Sequence, residues 1–266
     1  MRSTGAAGRT GGEDGVKRGV GDLAPITLDG INVIAELQTR VDRKYIVTPH
    51  QTATLIAELP PTVRVLDIDG SREFAYKSVY FDSDDFKLYL DTAHRRRQRY
   101  KVRSRTYVGS ETTMLEVKTR GGRSTTVKHR LDYSVADAER LTSRGRAFVE
   151  ESVSRAGAAD GLRPTLTTRY RRSTFVDTDS GTRLTCDWGL LCTDWQSRSV
   201  TPGFVVLESK STGGASLFDR WLWNTGVRPA PLSKFCTGLA ALHPELPANK
   251  WHRTLQRYFP SPAEPR

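Results

Sequence analysis

Between Arg95 and Tyr107 the chain reads R-R-R-Q-R-Y-K-V-R-S-R-T-Y, with Arg97, Arg99, Lys101, Arg103 and Arg105 at every second position. On a β-strand, residues of equal parity project to one face. The stretch therefore predicts a strand carrying five cations in a row, with roughly 6.6–6.8 Å between successive members. Such a row repels itself unless an anion with a repeating charge lies along it. The plain alternative is a solvated face or a charge-guarded edge strand, and the neighbouring strands decide between the two.

They repeat the pattern. Thr112–Thr119 sets Met114, Glu116 and Lys118 on one face and Leu115 and Val117 on the other. Ser124–Tyr133, reached through a Gly121-Gly122 turn, sets Lys128, Arg130 and Asp132 against Val127, His129 and Leu131. Arg169, Arg171 and Arg172 lie within a strand from Pro164 to Asp177, and Arg183 lies at the start of Thr182–Asp187. In Phe204–Ser211, Glu208 and Lys210 share a face behind an apolar run. Arg40–Val47 places Arg40, Asp42, Lys44 and Ile46 opposite Val41, Arg43, Tyr45 and Val47. Buried charge is tolerated only when paired or satisfied by a ligand. Same-face cations on this many strands point to a polar interior completed by an anion.

Composition agrees: the net charge is +11 and the sequence pI about 9.8, which suits a polyanionic partner. Cys186, Cys192 and Cys236 have no CxxC spacing and read as reduced residues of a cytoplasmic protein without a zinc site. No apolar run is long enough to span a membrane, and no signal peptide is visible. Residues 1–24 read as a disordered leader, residues 25–246 as one domain, and residues 247–266 as a C-terminal tail. Thr48-Pro49 opens a helix to about Leu59, Val135–Ala156 has helical composition, and Leu217–Asn224 and Lys234–Leu242 are helical candidates. Strands this numerous favour a closed barrel, which leaves no exposed edge.

Several short motifs occur together: Arg40-x-x-x-Lys44-Tyr45, Tyr80-Phe81-Asp82, Arg103-x-Arg105, Leu115-Glu116-Val117-Lys118, Arg169-Tyr170-Arg171-Arg172, Leu207-Glu208-Ser209-Lys210 and Ser233-Lys234-Phe235. In order and spacing this set resembles the VTC domain, the catalytic domain of the vacuolar transporter chaperone polyphosphate polymerase, within the triphosphate tunnel metalloenzyme (CYTH-like) superfamily. The resemblance implies an α+β fold: a closed antiparallel β-barrel tunnel of about eight strands with flanking helices. It also implies ATP and polyphosphate as partners and Mn2+ or Mg2+ as cofactor. The superfamily often begins with Glu-x-Glu-x-Lys, whereas the frame here is Arg40-Val41-Asp42-Arg43-Lys44. The first carboxylate has become a cation, which is the polymerase-like version. No regulatory SPX domain is visible in the sequence.

By the same resemblance, Lys44, Arg103, Arg105, Lys118, Arg172, Arg183 and Lys234 are the candidate catalytic cations. Lys101, Lys128, Arg130, Arg169 and Lys210 are the candidate phosphate-binding residues. Arg suits phosphate because it grips two oxygens at once, and Lys because it is a compact point charge. Glu208 is the candidate metal ligand, since a lone acid among cations gains by holding a divalent ion; an ion pair with Lys210 is the alternative. Glu116, beside Lys118, reads as an ion pair. His94 and His129 read as surface or packing residues, and Trp221, Trp223 and Trp251 as packing rather than base-stacking residues. The expected activity is transfer of the ATP γ-phosphate onto polyphosphate. Triphosphate hydrolysis and non-catalytic polyanion binding are the alternatives. Aromatic residues are sparse within the basic strands, which argues against single-stranded nucleic acid.

Overall fold

A computed structural model describes residues 7–34, 41–120 and 126–259. Arg40, the Gly121-Gly122 turn, and the outermost residues of the expected leader and tail lie outside the described residues. The chain forms two compact units, Met1–Phe74 with Tyr170–Leu190 and Gly203–Pro231, and Ala75–Arg169 with Leu191–Pro202 and Leu232–Arg266.

The first unit contains α1 (Ala7–Asp22), β1 (Pro25–Ile26), α2 (Leu28–Ile34), β2 (Val41–Val47), α3 (Pro49–Ala57) and β3 (Val63–Leu66). The second contains β4 (Phe74–Asp82, entered from the first unit), α4 (Lys87–Ala93), β5 (Tyr100–Tyr107), β6 (Thr112–Arg120), β7 (Thr126–Tyr133) and α5 (Ser143–Val153). The chain then crosses between the units along β8 (Arg163–Asp177) and β9 (Arg183–Asp194). β10 (Ser199–Val200), α7 (Lys234–Leu242) and α8 (His252–Tyr258) belong to the second unit, β11 (Val205–Ser211) and α6 (Leu217–Asn224) to the first.

Strand order is β2-β11-β9-β8 in the first unit and β4-β5-β6-β7 in the second, so eight strands make up the two main paths. β11 is antiparallel to both β2 and β9, and β4, β5, β6 and β7 form a meander of antiparallel neighbours. The α+β class and the antiparallel sheets match the sequence reading. Neither unit closes into a barrel by itself among the described residues.

Alternation along the strands decides where each core sits. In the second unit Val79, Phe81, Tyr100, Val102, Leu115 and Val117 bury one sheet face against Leu88 of α4 and Val149 of α5. In the first, Tyr45, Val47, Leu184, Cys186, Val205 and Leu207 do the same with Phe218 and Leu222 of α6 and Leu55 and Ile56 of α3. On β2, β5, β6, β9 and β11 the candidate charged residues have the opposite parity, so burying the apolar face fixes where those side chains point. α3 begins with a reciprocal cap between Thr48 and Gln51 and with Pro49 at its first position, as expected.

Four expectations change. Residues 7–22, expected to be disordered, form α1, with Val16 and Val20 buried. The glycines that suggest disorder instead permit close packing: a Cβ on Gly15 would stand 3.3 Å from Ala53 Cβ, and one on Gly19 2.8 Å from Ile56 Cγ2. α1 thus lies against α3 through a face that carries no side chain at those two positions. Gly19→Leu is expected to destabilise the protein by up to about 2 kcal/mol, because overpacking outweighs the gain in helix propensity. Urea unfolding checks this; a variant more stable than wild type would contradict the packing.

The basic strand begins only at Tyr100. Arg95 has φ +57°, Arg96 N–H donates to the Asp91 carbonyl, and Arg99 donates to the Arg95 and Arg96 carbonyls. The row of five therefore becomes three on the strand, Lys101, Arg103 and Arg105. The long helix expected over Val135–Ala156 is a short turn followed by α5. In the tail, Trp251 is buried with its ring 5.8 Å from that of Tyr89, and α8 follows it.

Candidate functional site

In the second unit the register of β5, β6 and β7 sets residues abreast. Lys101, Lys118 and Lys128 form one row; Arg103, Glu116 and Arg130 the next; Arg105, Met114 and Asp132 the third. Residues directly opposite share a face and repel when alike in charge. Six cations thus crowd one face with two carboxylates among them.

Glu116 holds the centre. Its side chain is fully buried, and its Oε2 accepts from Arg103 Nε at 2.8 Å and lies 2.6 Å from Nη2. Its Oε1 pairs with Lys128 and lies 3.5 Å from Arg130 Nε. Burial opposes its ionisation, but the charges of Arg103, Arg105 and Lys128 outweigh burial and hold the carboxyl well below the usual carboxylate range. Lys128 responds in the opposite sense. Burial, reinforced by Arg103 and Arg105, pushes its ammonium down to about 7 against the pull of Glu116. The acid is surrounded by cations, whereas the lysine meets one anion and two further cations.

The surrounding groups fix this face. Arg103 Nη1 donates to Tyr80 Oη at 3.0 Å, and the Tyr80 ring stacks on Phe235 with centroids 5.0 Å apart. The Arg105 guanidinium lies 5.4 Å from the centre of the Tyr76 ring. Lys101 Nζ donates to Ser233 Oγ at 2.9 Å, and the same oxygen caps α7, whose first residue is Lys234. His129 pairs in register with Val117, on the side of β7 away from the cations.

In the first unit β11 runs between β2 and β9. Lys44, Glu208 and Thr185 stand abreast, beside a row of Asp42, Lys210 and Arg183 and a row of Ile46, Val206 and Asp187. Glu208 Oε1 lies 3.4 Å from Lys210 Nζ and 3.8 Å from Lys44 Nζ. Arg172 grips Asp187 with Nε at 2.5 Å and Nη2 at 2.8 Å, and its guanidinium sits over the Tyr170 ring. Of the arginine cluster, Arg172 is thus drawn into the sheet, while Arg171 pairs with Glu73 and Arg169 is exposed.

The opposite face of β2 carries a network that the sequence reading missed. Asp219 accepts from Tyr45 Oη at 2.6 Å, Ser209 Oγ at 2.5 Å, Ser216 N at 2.9 Å and Arg43 Nη1 at 3.2 Å. It locks α6 onto the sheet. The signal was Ser216 three residues before Asp219, a capping pair. Trp223 donates to Tyr45 and Trp221 to Glu58, which are packing roles.

A divalent ion was expected at Glu208. Among the described residues no group of three or more His, Cys, Asp or Glu could hold a metal. Glu208 is instead a single carboxylate whose two lysine contacts are longer than a close ion pair. That donor set does not build a cage from protein alone. It does fit an ion that arrives with its own phosphate oxygens and takes one carboxylate from the protein, the usual habit of Mg2+.

The chain matches the VTC domain model over residues 39–243. It belongs to the VTC domain family. Among solved structures, this VTC domain resembles a Hippeastrum protein assigned as an adenylyl cyclase and described as having a dominant triphosphatase activity. The two are 13% identical, with a TM-score of 0.51 over 75% of this chain and 94% of that one. A Vibrio parahaemolyticus protein assigned as an adenylate cyclase is 12% identical, with a TM-score of 0.38 over 71% of this chain and 84% of that one. A conserved hypothetical protein from Pyrococcus furiosus is 10% identical, with a TM-score of 0.41 over 74% of this chain and 99% of that one. No curated protein matches the chain. The VTC domain therefore has a fold of the triphosphate tunnel metalloenzyme type. No helix among the described residues is long and apolar enough to cross a membrane.

The lysine row carries a further expectation. If phosphate binds this row, Lys128, whose ammonium is pushed down to about 7 in the free protein, would take up a proton on binding above that pH. Tripolyphosphate affinity of the wild type should fall, relative to that of Lys128→Arg, as pH rises through about 7. The ligand's own ionisation is common to both proteins and drops out of the ratio. Calorimetry from pH 6 to pH 9 checks this, and a constant ratio would refute it.

Proposed function

We propose that this VTC domain is a phosphotransferase moving the γ-phosphate of ATP onto a growing polyphosphate chain inside a closed β-tunnel, with Mn2+ or Mg2+ as cofactor. The observation that carries the reading is the face of β5, β6 and β7, where six cations crowd around the buried Glu116. The family match and the fold shared with the Hippeastrum protein support the tunnel and phosphoryl chemistry.

Phosphoryl transfer asks little covalent chemistry of the protein; it asks for position and for positive charge where negative charge spreads. In this reading Arg103, Arg105, Lys118, Arg172, Arg183, Lys234 and Lys44 hold the reacting phosphates. Lys101, Lys128, Arg130, Arg169 and Lys210 hold the rest of the chain. Arg103 arrives pre-aimed, because Glu116 and Tyr80 fix three of its donors before any substrate binds. Glu208 would hold the metal, which when bound neutralises phosphate oxygens as the transfer proceeds.

Triphosphate hydrolysis is the second reading; it uses the same site with water as acceptor, and the activity described for the Hippeastrum protein favours it. Against it stands the Arg40-Val41-Asp42 frame, with a cation where a carboxylate is usual. Incubation with ATP and Mn2+, followed by gel separation, tests the proposal. A ladder of polyphosphate is expected; free phosphate alone would favour hydrolysis, and no product would favour binding without catalysis.

A further inference from the structure

Thr185 stands abreast of Glu208 where β9 pairs with β11, so the two side chains share a face. The core lies on the other face, with Leu184 and Cys186. Thr185 is 4% exposed, and its Oγ1 has no hydrogen-bond partner among the described residues. Other buried hydroxyls find one: Thr106 and Thr113 bond each other, and Ser209 donates to Asp219. A buried hydroxyl left without a partner costs stability, so the chain carries here a polar group that its own packing does not use. Valine would have the same branched shape without that cost. Arg183 and Asp187 flank Thr185 on the same face of β9, and Arg172 of the neighbouring β8 grips Asp187 with two nitrogens. Glu208 Oε1 in turn lies 3.4 Å from Lys210 Nζ and 3.8 Å from Lys44 Nζ. Thr185 is thus a neutral oxygen set among charges, directly opposite the carboxylate of that face whose ion pairs are long.

We infer that Thr185 Oγ1 is a second protein oxygen for the divalent ion that Glu208 would hold. The inference rests on the proposed function and adds a ligand to its metal site. Directly opposite side chains have Cβ atoms about 4.5–5.5 Å apart. A small divalent ion binds oxygen at about 2.0–2.1 Å, so a single ion can reach both side chains. A hydroxyl suits the place because it adds an oxygen without adding negative charge, which leaves the remaining positions to phosphate oxygens and water. Serine and threonine hydroxyls take this part beside the phosphates in P-loop proteins. One carboxylate with two lysines close by holds an ion loosely and in no fixed direction. A carboxylate and a hydroxyl from adjacent strands fix its position over the sheet.

The test is calorimetry on the whole chain with imidotriphosphate, a nitrogen-bridged triphosphate that resists hydrolysis, measured once with Mn2+ and once with a chelator. The readout is the ratio of the two affinities, in which the effect of the ion on the charge of the ligand is common to every variant. In Thr185→Val this ratio should fall about tenfold below that of wild type, the usual cost of weakening a metal site by one supporting group. The affinity in chelator should stay as it is, and the melting temperature should hold or rise, because an unpartnered hydroxyl has been removed. Thr185→Ser, which keeps the hydroxyl, should keep the wild-type ratio. A residue that serves only packing would behave otherwise: Thr185→Val would melt lower and lose affinity equally with and without the ion, which overturns the inference. A Thr185→Ser protein with the ratio of Thr185→Val overturns it too. An unchanged ratio in Thr185→Val, beside a fall in Glu208→Gln, overturns the role of Thr185 and leaves the metal at Glu208 standing. An unchanged ratio in both variants removes the metal from Glu208 and so overturns that part of the proposed function itself.

Discussion

A Glu208→Gln protein is expected to transfer phosphate about a hundredfold or more slowly than wild type, from the several kcal/mol that a catalytic metal supplies. Gln keeps the size of the side chain and removes the charge that would hold the ion. Binding of tripolyphosphate in the presence of a chelator should persist or tighten, because a negative charge has left the side of Lys44 and Lys210. The split between activity and metal-free binding is the informative readout. Full activity in Glu208→Gln would reduce Glu208 to a salt-bridge partner of the two lysines. The metal ligand would then have to be sought at Asp42 or Glu116.

Glu116→Gln should have the largest effect on stability. Glu116 is the buried counter-charge for Arg103, Lys128 and Arg130, and breaking such a group from one side costs about 3–5 kcal/mol. Affinity for tripolyphosphate should rise in the same variant, since the cations lose their internal anion. Lower stability with tighter binding is a signature that mere misfolding does not produce. The pH dependence has a definite sign. The folded carboxyl lies below its ordinary value of 4.5, so its contribution is present above that pH and fades as pH falls toward the folded value. Wild type should therefore lose more stability than Glu116→Gln on acidification below 4.5. Denaturant unfolding at pH 7 and below pH 4 measures both; equal stability of the two proteins at pH 7 would show that the group around Glu116 is not a closed electrostatic unit.

Much of this site is legible in the sequence because a strand has a period of two. The parity of Leu115 and Val117 fixes the face of Glu116 and Lys118, and the parity of Tyr100 and Val102 does so for Lys101 and Arg103. Parity cannot say where a strand begins. Arg97 and Arg99 share the parity of Lys101, yet the positive φ at Arg95 and the hydrogen bonds of Arg99 to nearby carbonyls keep them off β5. Nor can parity give partners across strands. That Glu116 faces Arg103 and Arg130, and that Asp187 receives Arg172, depends on register and long-range pairing. α1 was hidden for another reason. Gly15 and Gly19 lower helix propensity, and their value appears only against Ala53 and Ile56 of a helix far along the chain.

The central claim is that these cations are held together for the sake of a phosphate chain. It is tested most directly by the melting temperature of the wild-type protein in low salt, with and without saturating tripolyphosphate. A ligand that binds the native state alone at 100 times its dissociation constant adds about 2.7 kcal/mol to stability. The melting temperature should rise accordingly, and the rise should shrink as salt is added. An unchanged melting temperature at saturating tripolyphosphate in low salt would contradict the claim.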